Sequence, residues 1–224
     1  MKNTFKKLFI SFTVLSLTAC GSTTMQDNTF AAKENKDFTK YTNQLVVEYA
    51  ENDYTTMHHF FEHPEDYGID VNKVDISLGE FYTDNTKEIK EDQKELKKFN
   101  RSTLDKTQQT IYDELKYENE LSLKAENKKF QYLNNCWSTM SGLHQSLISV
   151  FSEYILRNEQ DIKDLITLIN DVPRYTNDVL EYTKEQADKN TLQFDYESVT
   201  QDIQDVINNK EDSSVVSALD NAID

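Results

Sequence analysis

The chain has 224 residues, 37% hydrophobic and 29% charged, and a formal charge of −16. That charge repels phosphate backbones, and no Lys/Arg cluster interrupts it beyond the first seven residues, so nucleic acid is excluded as a partner. Four glycines and two prolines supply few breakers; an all-α array of about seven or eight helices is therefore expected, with length enough for one domain or two small ones.

The opening MKNTFKKLFISFTVLSLTACGS sets Lys2, Lys6 and Lys7 before an apolar run from Leu8 to Leu17. This is the layout of a secretory signal, too short to span a bilayer as a mature helix. Its end, Leu17-Thr18-Ala19-Cys20-Gly21, resembles the lipobox of bacterial lipoproteins, which implies that Cys20 becomes the first mature residue and carries acyl chains such as palmitate. Residues 1–19 then read as a signal peptide, and 20–36, polar and without a periodic face, as a flexible tether. The expected location is the extracytoplasmic face of the cell membrane, held through the lipid. Loss of 1–19 removes three lysines and no acid, so the exported body is more acidic still. Cys136, left without a disulfide partner, is read as a packed thiol beside Trp137.

Residues 37–224 are read as the helical domain. Phe38, Tyr41, Leu45 and Tyr49 form one face of a first helix starting near Asp37, and a short second helix runs from Asp53 toward His63. The segment HPEDYGIDVNKVDISLGEF holds Pro64, Gly68 and Gly79 and must turn irregularly. A surface helix over Asp84–Phe99 turns Ile89, Leu96 and Phe99 inward, Asn100–Asp105 interrupts it, and Leu104, Ile111 and Leu115 mark a long helix to about Lys124. ENKKFQYLNNCWSTMS breaks the period and suggests a packed loop or short strand.

Ser141 is the expected N-cap of the most apolar helix of the mature chain (Leu143, Leu147, Ile148, Val150, Phe151), which is placed at the centre of the core. Asn158 and Asp161 have capping spacing before a stripe of Ile162, Leu165, Ile166 and Ile169. Pro173 is expected in the first turn of a separate antiparallel helix with Tyr175, Val179 and Tyr182 on its face. The core is centred on Leu143, Ile148, Ile166 and Val179. Ser198 and Gln201 repeat the capping signature, and Asp212 opens a last helix through Val216, Leu219 and Ile223. With no Gly, Asn or base to cap it, that helix reads as interrupted inside a larger fold.

Residues 59–63, HFFEH, fit the inverted zincin pattern H-x-x-E-H, which would make His59, Glu62 and His63 a zinc peptidase site. Pro64 opposes this reading. The residue before a proline is pushed out of the α region, so His63 leaves the face of His59 and the two rings cannot converge on one ion. Phe60 and Phe61 are instead read as core. His144 could pair with Cys136 as base and nucleophile, although a histidine on an apolar helix is more often a satisfied packing residue. No other catalytic signature is present, so no catalytic or metal residue is assigned, and the abundant aromatics are candidates for lining a peptide groove.

The segments MHHFFEHPEDYGI, SLGEF, SGLHQSLISVFSEY and DVPRYTNDVLEYTKEQ, in that order, resemble the N-terminal part of domain-of-unknown-function family 885. The likeness covers most of residues 37–210 and is most specific in the P-x-x-Y-G-I and D-V-P-R-Y patches. These bacterial proteins, many exported or lipid-anchored, resemble helical zinc metallopeptidases. The resemblance implies an elongated helical fold in which this part forms a wall of a substrate cleft, with zinc held by downstream residues of an H-E-G-x-P-G-H type motif that this sequence lacks. It also sets the histidine ahead of the P-x-x-Y-G-I patch on His58. No cofactor is thus expected in this chain, which is expected not to be catalytic alone; the alternative is an extracytoplasmic lipoprotein that binds a peptide or basic partner in an acidic, aromatic groove.

Overall fold

The computed structural model describes residues 33–209 and Val216. Among them run seven α-helices and no strand: α1 (Lys36–Asn52), α2 (Tyr54–Phe60), α3 (Thr86–Leu96), α4 (Lys106–Ala125), α5 (Leu143–Ser152), α6 (Glu159–Asp188) and α7 (Tyr196–Asn208). The all-α array expected from the scarcity of breakers is what the chain forms. The expected signal peptide, Cys20, the expected tether up to residue 32 and all of the last expected helix except Val216 lie outside the described residues. No described helix is long and apolar enough to cross a membrane.

The described residues form two compact units. The first takes α1 up to Tyr49 together with Thr83–Asn127. Phe38, Leu96, Leu104, Ile111 and Leu115 make its core, with Tyr41, Leu45, Phe99 and Tyr112 packed around them. The ring of Phe99 meets those of Phe38 and Tyr41 at 5.2 Å each. Asp105 caps α4 in a capping box with Gln108, and the Gln108 amide also accepts from Asn35 N and donates to Asn35 O, tying α4 to the start of α1. Ile89 and Leu96 of α3 turn inward as their spacing requires.

The second unit takes Ala50–Tyr82 and the residues from Lys128 onward. Asp53 caps α2 by accepting from Thr56 N. The P-x-x-Y-G-I patch has a local physical basis. Pro64 opens a 3₁₀ turn, Gly68 adopts φ 78°, which only glycine takes without strain, and Ile69 N–H closes on Pro64 O, burying the Ile69 side chain.

Five expectations about the elements need correction. Pro173 does not begin a new helix; it lies inside α6, a single helix of 30 residues. A proline interior to a helix costs about 3 kcal/mol. That cost is met by burial on both sides of it, with Leu165 and Leu168 before and Val179 and Tyr182 after. The stripe on α6 faces another way: Leu165 is buried, but Ile162, Ile166 and Ile169 are exposed, so Ile166 is not core. The inward row is Asp161, Leu165, Leu168, Val179, Tyr182 and Gln186. α5 is not the centre of the core, because among its residues only Phe151 is buried. Two caps also move. Asp195 rather than Ser198 caps α7, accepting from Ser198 N, and Gly142 rather than Ser141 caps α5. A Cβ on Gly142 would stand 2.5 Å from Ser138 O and 2.7 Å from Ser138 N, so no larger residue fits there.

Candidate functional site

The second half of α6 is gripped by two loops. Asp171 accepts Leu78 N–H at 2.8 Å, and Arg174 Nη2 donates to Gly79 O at 2.8 Å while its Nε and Nη1 bind Asp171 and Asp178. The D-V-P-R-Y patch thus fastens the SLGEF patch, and Phe81 then lies edge-on to Tyr182 at 5.2 Å. Arginine suits this duty because its planar fork serves a carboxylate and a carbonyl at once. Asp171 is held below the usual carboxylate range by these bonds, that from Arg174 foremost.

The other loop runs over 131–137. Tyr182 OH donates to Gln131 O at 2.7 Å, Gln186 donates to the carbonyls of Tyr132 and Asn134, and Trp137 donates its indole N–H to Thr183 at 2.8 Å. The stretch ENKKFQYLNNCWSTMS forms turns and irregular backbone with no strand, as its loop reading has it, and its Cys136 joins Val179 and Tyr182 in one buried cluster. Residues at 179, 182, 183 and 186 share a face of α6 by helical spacing.

Between the loops lies a groove of about 790 Å³ lined by Glu80, Phe81, Tyr82, Gln131, Tyr132 and the α6 side chains Arg174, Asp178, Glu181, Tyr182, Lys184, Glu185 and Asp188. Five carboxylates face two bases there, and Arg174 is already committed to Asp171 and Asp178. The rings of Tyr132 and Tyr182 stack at 5.6 Å, and Tyr82 lies 6.1 Å from Tyr182. Lys189, just past α6, sets its Nζ 4.3 Å from the centre of the Tyr132 ring and pairs with Glu185. Aromatic faces amid negative charge can attract cations with apolar stems. Its size is that of a ligand site.

The residues singled out in the sequence lie elsewhere. α2 ends at Phe60, and His63 takes φ −126°, ψ 75°, outside any helix. His59, Glu62 and His63 are exposed, with His63 3.6 Å from Glu65. Proline's steric demand on His63 is met, and the three residues do not fit a zinc site; no group of three or more possible ligands is placed to hold a metal among the described residues. Phe61 is core, but Phe60 is 40% exposed, contrary to its expected burial. Cys20 lies outside the described residues.

Cys136 is buried, its thiol pushed up to about 11 by that burial, and Sγ contacts Asn134 O. His144 stands 4.0 Å from Asp202, and no hydrogen bond joins it to Cys136 among the described residues.

His58 is buried between two tyrosines, its ring 4.2 Å from that of Tyr154 and 5.6 Å from that of Tyr54. Its Nε2–H donates to Ile155 O at 2.7 Å, and Nδ1 lies 3.8 Å from Asp161. The Asp161 carboxylate itself accepts from the backbone of Arg157 and Asn158 as the α6 capping box. Burial lowers the His58 pKa, outweighing the attraction of Asp161. The cluster is a closed clasp joining α2 to the start of α6.

The family model described as "Bacterial protein of unknown function (DUF885)" matches residues 68–223. The match begins inside the P-x-x-Y-G-I patch and takes in both loops and all of α6, leaving α1, α2 and the HFFEH string before it. No curated protein and no solved structure matches the chain. With the matched span holding every residue of the groove, the chain belongs to the DUF885 family of bacterial proteins.

Proposed function

We propose that this chain is a lipid-anchored extracytoplasmic protein whose α6 groove holds basic peptide segments without cleaving them. One observation carries the reading: five carboxylates and four aromatic rings line a single groove of ligand size. The likeness of the family to helical metallopeptidases gives this surface a natural role as a substrate-holding wall, and it supplies no residue for chemistry here. The net charge of the chain adds a long-range pull on cationic ligands.

The test is calorimetric titration of the full-length protein in detergent with tetralysine and with tetraglutamate. Tetralysine binds, weakening steeply between roughly 50 and 200 mM salt as screening sets in, and tetraglutamate does not. Glu181→Gln combined with Asp188→Asn lowers affinity about tenfold, on the order of 1.4 kcal/mol for two lost charges. Equal binding of both peptides, or binding indifferent to that pair, defeats the groove reading. Anchoring is tested separately: radiolabelled palmitate is incorporated into the intact protein and not into Cys20→Ala, and label persisting in the variant removes the anchor from the proposal.

A further inference from the structure

Besides Arg174 and Lys184 in its wall, the groove has a further cationic partner supplied by the chain itself. Lys189 follows the last turn of α6, and its ammonium is placed over the Tyr132 face while it pairs with Glu185 from the same helix. Two features make this placement informative. Tyr132 and Glu185 both line the groove, and the Lys189 ammonium binds both of them although Lys189 is not itself among the lining residues. The C-terminus of a 30-residue helix also presents partial negative charge at that spot, and a cation is favoured there whether it belongs to Lys189 or to a ligand.

We infer that the Tyr132–Glu185 face is a subsite for a primary ammonium on a flexible alkyl stem, and that Lys189 is its resident occupant, displaced when a lysine side chain of a bound peptide takes the place. This rests on the groove reading above and deepens it by naming the recognised group and what competes for it. The exchange is chemically like for like: one ammonium leaves the ring and the carboxylate, and another arrives. The departing group is not locked in. The Lys189 side chain is 44% exposed, and both of its contacts belong to the class that surface exposure keeps weak. The backbone beneath it stays fixed, since Asn190 adopts φ 55° and Thr191 N–H closes on Gln186 O, ending the helix at that point. Only the side chain has to swing.

The experiment compares Lys189→Ala with Lys184→Ala, which removes the same charge from the groove wall on the same helix. In calorimetric titrations of the full-length protein with tetralysine, Lys189→Ala binds roughly twofold to fivefold more tightly than the parent, and Lys184→Ala gains clearly less. Proton NMR supplies a second readout. The ε-methylene signals of Lys189, assigned by their disappearance in Lys189→Ala, are shifted upfield by the Tyr132 ring in the free protein and return to ordinary lysine positions as tetralysine is added. If tetralysine binds the parent while those signals stay in place, or if both variants gain equally, the displacement idea is overturned and the groove reading stands. If tetralysine binds none of the three proteins, both fall together.

Discussion

At the scale of single residues, His58 shows how burial decides a titration. Protonation would draw Nδ1 toward Asp161, yet the desolvation cost of a charged ring between Tyr54 and Tyr154 is larger, and the pKa falls below the ordinary 6.5. The unfolded ring therefore binds its proton at a pH where the folded ring does not. Between the two values the unfolded chain carries more protons, so stability is lost as pH drops through that window and is fully present above it. Urea denaturation between about pH 7 and 5 gives a steeper loss for the parent than for His58→Gln, whose amide keeps a donor for Ile155 O without a titrating group. Equal slopes would mean that His58 contributes nothing to the pH dependence. The sequence pointed at the neighbouring His59 and His63 through a motif, and the departure of His63 from the helix was legible from Pro64 alone. The tyrosine sandwich around His58 was not legible, because Tyr154 lies 96 residues away and no periodicity links the two.

Among the elements, α6 separates what local pattern can tell from what it cannot. Its start was readable from Asn158 and Asp161, because a capping box is a contact within one turn. Its continuity through Pro173 was not, since the groups that stabilise the passage, Leu78 and Gly79 on one side and the buried row on the other, arrive from elsewhere in the chain. Its inward face was misread for a related reason. Around residues 161–169 the helix is apolar on adjoining faces, so the isoleucine stripe matched the helical period as well as the leucine row does. Truncation distinguishes the two faces. Leu168→Ala, at a fully buried side chain, is expected to cost about 2–5 kcal/mol, and Ile166→Ala, 53% exposed, under about 1 kcal/mol, both measured by chemical denaturation. A reversed order would show that the isoleucine face is the packed one. α5 carries the same lesson in reverse: high hydrophobicity secured it a helix, and only Phe151 found full cover.

For the molecule as a whole, composition foretold the helical class. The groove itself could not be read, because its lining comes from 80–82, 131–132 and 174–188, three stretches brought together only by folding. One fragment of the signal was present: Glu181, Glu185 and Asp188 fall at the spacing of a single helical face, beside the tyrosine of the row that was recognised. The D-V-P-R-Y and SLGEF patches acquire a shared purpose in the structure. One places Arg174 and Asp171, the other the backbone they hold, and together they shape one side of the groove.

Trp137 is the only tryptophan in the chain, and its indole is tied to Thr183, the residue next to Tyr182. The protein therefore carries its own optical gauge, placed where the 131–137 loop meets α6. Any guest or mutation that loosens this junction alters the colour and yield of one emitter, and can be followed in real time without a dye.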